Sequence, residues 1–271
     1  GLFETILVDN QTIYAWPEHY ARLSAGLNRL GLPEVAPKDL LARLNAAARC
    51  TGGVSVAKIL ITAGCGPRGY VRSENPALTI RVWANLLPKL NSAPLSVGIA
   101  AHPISAMPYL AGLKTLNRLD QVLAANPVRQ DIDEQLLTDH QNRVVCATNS
   151  NFFWREGEQW FTPPITEGGI EGTRRALWIC RLGARQQHAA LGRLALAEQA
   201  FLCNAVNVYR PIAHLQGRAL TEASPPQSAA LVAVNGGYQF HETAASFDCL
   251  HADADNHLKQ NCWSKIRGMN P

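Results

Sequence analysis

Lysine is scarce in this chain: six of its 25 cationic side chains are lysines, the other 19 are arginines, and only 17% of the 271 residues are charged. An average globular protein carries about 25% charged residues. Because 47% of the chain is hydrophobic, this low charge excludes a disordered polymer. Long apolar runs are missing too. Residues 228–234 and 54–62, the latter interrupted by Lys58, fall well short of the ~20 residues a membrane-spanning helix requires, so no membrane span is expected. No Cys-x-x-Cys pair occurs among Cys50, Cys65, Cys146, Cys180, Cys203, Cys249 and Cys262. An odd number of widely spaced thiols, without a hydrophobic signal peptide, is read as the reduced cysteines of a cytoplasmic protein. Gly-x-Ser-x-Gly, the P-loop and His-Glu-x-x-His are absent. The net charge of +4 is scattered rather than clustered, which argues against a nucleic-acid partner. Arginine's planar fork binds both oxygens of a carboxylate or phosphate, so the expected ligand is a small anion.

What is present reads as two halves. Ile6–Val8 and Ile13–Trp16 flank the turn residues Asp9-Asn10 and predict a hairpin over 3–16. A helix follows, opened by Pro17, carried by Tyr20, Leu23, Leu27 and Leu30, and closed by Gly31 and Pro33; residues 38–50 predict a second. Runs at 54–62, 77–84 and 95–101 read as mostly antiparallel strands, so residues 1–105 are expected to form a small α+β domain. The Pro-rich segment 102–112 reads as an interdomain crossing. Beyond it, helices over Leu116–Leu123 and Thr173–Leu182, strands over Val144–Trp154 and Trp160–Thr162 and a buried strand at Ala200–Cys203 predict an α/β domain spanning 106–223. The polar, aperiodic residues 224–271 are expected to be an extension, and the opening at Gly1 without methionine suggests a missing beginning.

Four segments carry chemistry. Gly64-Cys65-Gly66-Pro67-Arg68-Gly69 matches G-x-G-x-x-G after a strand, but residues 70–76 cannot form the helix whose N-terminus holds a dinucleotide's pyrophosphate. It is left as a Gly-rich loop that brings Arg68 to an anion, or as an ordinary tight turn. Lys114 lies in the apolar run Leu110–Leu119; burial disfavours an ammonium and would prepare it as a nucleophile or base, whereas the commoner fate of a lysine is a surface position. Gly168–Arg175 enters a helix after a Gly-rich turn, which makes either a phosphate cradle or a plain cap. Cys249, His251, His257 and Cys262 fit no standard zinc spacing, and no metal is expected.

Taken in order, these segments resemble the fold-type IV pyridoxal-phosphate enzymes of the D-amino-acid aminotransferase type, and most closely the aminodeoxychorismate lyases. The resemblance covers most of residues 1–220: Gly1-Leu2-Phe3-Glu4-Thr5, His19–Leu23, Gly66–Tyr70, LAGLKTLNRLDQVL at 110–123, Asn149–Trp154, Phe161–Pro164, Gly172–Arg175, Cys203–Ala205 and Pro211-Ile212. It implies a two-domain fold, α/β and α+β, with a cleft between the domains for pyridoxal 5'-phosphate, and a homodimer. It implies that Lys114 is the Schiff-base lysine and proton carrier and that Thr5 assists it. Thr173, Arg174, Asn204 and Ala205 would bind the cofactor phosphate, and Arg68 a substrate carboxylate. The implied reaction converts 4-amino-4-deoxychorismate to 4-aminobenzoate and pyruvate in folate biosynthesis. A D-amino-acid or branched-chain aminotransferase on the same fold, or a degenerate member that binds without turnover, are the other readings.

Three departures from the family pattern stand out. Cys146 occupies the slot of a glutamate that keeps the pyridine nitrogen protonated, and a thiol carries no such charge. That weakens the electron sink, which an elimination forming an aromatic ring tolerates better than a transamination does. The first strand and an Asp-Arg pair that precede the Gly-Leu-Phe-Glu-Thr segment in the family are absent, so loss of a phosphate contact is expected. Ala63 replaces an arginine before the Gly-rich loop, leaving Arg68 for the carboxylate.

Overall fold

The computed structural model describes residues 1–9, 12–125, 131–221 and 231–240. Asn10 of the expected turn and the Cys249–Cys262 cluster lie outside these residues. The chain forms two compact units, one built from Gly1–Pro88 with Leu113–Asn117 and the other from residues 89–112 and 118 onward.

In the first unit, β1 (Leu2–Asp9) is followed by β2 (Thr12–Ile13), α1 (Trp16–Arg29), α2 (Pro37–Arg49), β3 (Ser55–Thr62) and β4 (Thr79–Leu86). The sheet order is β2-β1-β3-β4, antiparallel throughout. Proline sits at the start of both helices, where its missing N–H costs nothing. Leu23 and Leu27 of α1 and Leu40, Leu44 and Ala48 of α2 repeat at helical spacing and pack on Leu2, Ile6, Val8, Ala57, Ile59 and Ile61, the alternate residues of one sheet face. The other face carries Phe3, Thr5 and Leu7.

The second unit comprises β5 (Leu95–Ile99), a 3-10 turn at Pro108–Leu110, α3 (Leu119–Ala125), β6 (Glu134–Thr138), β7 (Arg143–Ala147), β8 (Asn151–Glu156), β9 (Gln159–Thr162) and α4 (Arg175–Leu182). It continues through β10 (Arg185–Gln186), β11 (Ala189–Ala190), β12 (Gln199–Cys203), β13 (Arg210–Leu215), β14 (Arg218–Ala219), β15 (Leu231–Val234) and β16 (Gly237–Phe240). The large sheet runs β10-β9-β8-β12-β13-β5-β6-β7-β11, with β14 beside β13. Phe152 and Trp154 join Val97, Leu136, Leu202 and Ile212 on one side, while Phe153 and Phe201 stack on the other with centroids 4.9 Å apart against Trp178 of α4. Strands buried on both faces read as continuous apolar runs.

Three expectations need correction. The chain leaves the first unit at Pro88, not near residue 105, because β5 pairs in parallel with β13 and β6 and buries Leu95 and Val97 in the large core. Residues 113–117 return to the first unit rather than following the crossing into the second. Residues 231–240 are not aperiodic: Asn235 (φ 49°) and Gly236 (φ 83°) form the left-handed pair that a two-residue hairpin requires, and Val234 pairs with Gly237 across it. The helix signalled by Leu119, Val122 and Leu123 forms, yet those side chains are exposed, so their spacing reported a helix but not a buried face.

Candidate active site

In the first unit, residues 114–116 lie along the free edge of β1. The Phe3 N–H donates to the Lys114 carbonyl at 3.0 Å, the Leu116 N–H donates to the Gly1 carbonyl at 3.0 Å, and Leu2 bridges Thr115. This fixes the backbone of Lys114, whose half-buried side chain places Nζ 4.3 Å from the centroid of the Phe3 ring, within cation–π range. Thr5 lies two residues further on the same face, and Lys58 of β3 is its register partner. Phe3, Thr5, Lys58 and the Lys114 amine therefore share one sheet face. Sequence reasoning treated Lys58 only as a break in an apolar run; the missed signal was one of six lysines alternating with buried Ala57 and Ile59.

The opposite face of β1 holds a buried ionic group. Glu4 accepts from His19 Nδ1 at 2.6 Å, from Arg22 Nε at 2.8 Å and from Arg22 Nη2 at 2.5 Å, and all three residues are at most 5% exposed. Burial pushes the Glu4 carboxyl upward, but the charges and hydrogen bonds of Arg22 and His19 outweigh it and hold the group at about 2. The group ties the strand bearing Phe3 and Thr5 to α1.

In the second unit three turns carry the candidate residues. Gly112 N–H donates to Gly169 O and Gly112 O accepts from Glu171 N–H, two residues before Lys114 in sequence. At Gly169 (φ +83°) an added Cβ would meet Val145 at 3.0 Å and lie 3.7 Å from the Cys146 sulfur, so Cys146 sits directly under this turn. Burial pushes the Cys146 thiol up to about 12, with the Arg118 charge opposing and that of Glu134 adding, so the thiol is neutral at pH 7. A Cβ on Gly172 would strike Asn151 Oδ1 at 2.0 Å, and Asn151 Nδ2 holds the Ile170 carbonyl at 2.9 Å. Only glycine allows this approach.

Thr173 follows at the entrance to α4, 4% exposed, with its hydroxyl buried and without a hydrogen-bond partner. A buried polar group left unsatisfied costs about 1–3 kcal/mol, and at a helix N-terminus the complementary group is an anion. The third turn supplies a further donor. Asn204 Oδ1 accepts from the N–H groups of Val206 and Asn207, both at 2.9 Å, and Asn204 Nδ2 reaches Ser150 Oγ at 3.2 Å, while the Ala205 N–H has no acceptor among the described residues. Thr173, Ala205 and buried Arg174 thus fit a phosphate group on an observation of their own, the orphaned Thr173 hydroxyl.

The sequence-derived residues divide accordingly. Cys146, Thr173, Arg174, Asn204 and Ala205 all belong to the second unit, where Asn204 bonds Ser150 and the adjacent Asn151 holds the turn before Thr173, and Lys114 and Thr5 belong to the first. Arg68 joins neither set: it is exposed in the loop 63–78, with no hydrogen bond or ion pair among the described residues. That loop contains no helix, in keeping with rejection of a dinucleotide site, and Arg72 anchors it by donating to the Leu30 carbonyl at the C-terminal end of α1. Among the described residues no cluster of metal-ligating side chains occurs and no helix is long and apolar enough to cross a membrane.

An antiparallel small unit, a large mixed sheet with a phosphate-fitting helix entrance, and a lysine held on a strand edge define the class: this is the two-domain fold of the fold-type IV pyridoxal-phosphate enzymes. The profile of the family described as "Amino-transferase class IV" matches residues 1–215, and the chain belongs to that family, whose cofactor is pyridoxal 5'-phosphate. The aminodeoxychorismate lyase of Vibrio harveyi is 27% identical over 222 residues, which cover 78% of this chain and 82% of that protein. The crystal structure of 4-amino-4-deoxychorismate lyase from Pseudomonas aeruginosa is 29% identical, with a TM-score of 0.73 over 83% of this chain and 86% of its own. The branched-chain amino acid aminotransferase of Escherichia coli shares the fold at a TM-score of 0.74 and 18% identity, covering 83% of this chain and 81% of its own.

Proposed function

We propose that this chain is an aminodeoxychorismate lyase that takes an anionic substrate, 4-amino-4-deoxychorismate, and releases 4-aminobenzoate and pyruvate. The observation that carries the cofactor assignment is the buried, unpartnered Thr173 hydroxyl at the entrance to α4. The two lyases at 27% and 29% identity support the choice of reaction. When bound, pyridoxal phosphate supplies the electron sink that acidifies the substrate carbon bearing the amine.

In this reading Lys114 is the residue that would hold the cofactor, and its Nζ is the base that would take the proton from ring carbon 4 of the substrate. As the ring C–O bond breaks and the ring becomes aromatic, Lys114 returns the proton to the departing three-carbon group, which leaves as pyruvate. The Thr5 hydroxyl, on the same sheet face, assists that transfer; Lys58 beside it and Arg68 on the loop neutralise substrate carboxylates. Thr173, Arg174, Asn204 and Ala205 hold the phosphate. A homodimer belongs to this reading, and the exposed Leu119, Val122 and Leu123 supply apolar surface in keeping with it.

Cys146 favours the lyase over the aminotransferase. A thiol neutral at pH 7 places no negative charge in the slot of the family's glutamate, so a reaction without an aromatic product suffers more than this elimination. Cys146→Glu, with the Arg118 charge nearby to balance the new carboxylate, should therefore raise the keto-acid-dependent half reaction about tenfold relative to pyruvate release, measured side by side in purified protein. Comparable lyase and transaminase rates in the wild type would refute the assignment. The primary test is reduction with borohydride after addition of pyridoxal phosphate, mapping of the modified peptide by mass, and an assay of pyruvate release from 4-amino-4-deoxychorismate; a label elsewhere than Lys114 overturns it.

A further inference from the structure

We propose that Gln239, on a C-terminal hairpin beyond the family match at residues 1–215, is a positioning residue that locks the turn carrying the Ala205 N–H. The proposal rests on the reading of that turn as part of the phosphate site. Gln239 is fully buried, and its Nε2 donates to the carbonyls of Ala205 at 3.4 Å and Val206 at 2.5 Å. Carbonyls only accept, so the amide nitrogen faces the turn.

The same two peptide groups are gripped from their other ends. The peptide joining Ala205 to Val206 and the peptide joining Val206 to Asn207 present their N–H groups to Asn204 Oδ1, both at 2.9 Å. Two side-chain amides thus hold two consecutive peptide planes, one by their hydrogens and one by their oxygens. Neither plane can rotate without breaking a bond at each end. The preceding peptide, whose N–H belongs to Ala205, is the one left with its donor unengaged among the described residues.

The hairpin itself is seated. Asn235 O accepts from Leu90 N–H at 2.8 Å, and a Cβ on Gly237 would fall 2.6 Å from Leu90 Cδ1 and 3.0 Å from Asn207 Nδ2. Burial of Gln239 also leaves its Oε1 without a partner, a standing cost that a purely packing residue such as leucine would not carry. The amide is kept at that cost for its two donor bonds.

Gln239→Leu in the full chain tests this, with binding of pyridoxal phosphate and of pyridoxal, which lacks the phosphate, measured on cofactor-free protein, and amide hydrogen exchange followed in peptides spanning 203–208. The substitution should weaken pyridoxal phosphate about tenfold, in line with loss of a charged group's positioning contact, leave pyridoxal unchanged, and speed exchange in that turn alone. Equal weakening of both ligands, or unchanged exchange and affinity, overturns the proposal. A wild type that prefers pyridoxal phosphate no more than pyridoxal overturns the phosphate reading on which it rests, a result distinct from any effect of the variant. If Gln239→Leu does not fold, Gly237→Ala, which presses on Asn207 and Leu90, supplies the same comparison.

Discussion

Lys114→Ala should eliminate the borohydride-trapped cofactor adduct and lower pyruvate release at least about a thousandfold, because in the proposed mechanism one side chain supplies both the covalent anchor and the proton carrier. The fold should survive. Lys114 contributes to the first unit through its backbone, by the carbonyl that accepts from Phe3 N–H, and its side chain lies over the Phe3 ring on the sheet face away from the helices. A neighbouring lysine provides the control. Lys58→Ala on the same face should raise KM about tenfold while leaving kcat and the Lys114 adduct near wild type, as expected of a charge that binds substrate but handles no proton. Equal losses in both variants would mean that the face binds anions without distinguishing the two amines.

That control was hidden in the sequence for a reason that applies more widely. Elements ruled by local rules were legible: Pro17 opens its helix, Leu23 and Leu27 repeat at helical spacing, and the Gly-rich run ending at Gly172 marks a turn before a helix. Pairings set by distant residues were not. β5 looks like a third antiparallel strand of the first half, and only its parallel partners β13 and β6, far along the chain, assign it to the large sheet. Lys58 comes beside Thr5 only through the register of β1 and β3. The hairpin at 231–240 did carry a local signal, Asn235-Gly236 between alternating residues, but the polar stretch around it concealed the pattern. The apolar setting marked Lys114 and the Gly-rich helix entrance marked the segment of Thr173, the resemblance alone supplied Asn204 and Ala205, and Gln239 falls beyond residue 215, where the family match ends.

The second large effect lies beneath β1. Arg22→Met removes the main counter-charge of a carboxylate that is 1% exposed and should cost about 3–5 kcal/mol of unfolding free energy, because it leaves Glu4 buried with only His19 to balance it. Glu4→Leu combined with Arg22→Leu should cost less than Arg22→Met alone, since an apolar pair leaves no charge stranded. Acid provides an independent check of the same group. Glu4 is held at about 2, below its ordinary value of 4.5, so its contribution is fully present above pH 4.5 and is lost as pH falls from there toward 2. By linkage that shift corresponds to about 3 kcal/mol in the wild type. Urea unfolding at pH 7, 4 and 3 should therefore show the wild type losing more stability than the Leu-Leu double variant over this window. If the two fall in parallel, the group is not what holds β1 to α1. The sheet face above it would then owe its order to packing alone, and Phe3 and Thr5, which project from the same strand, would keep their positions in Arg22→Met.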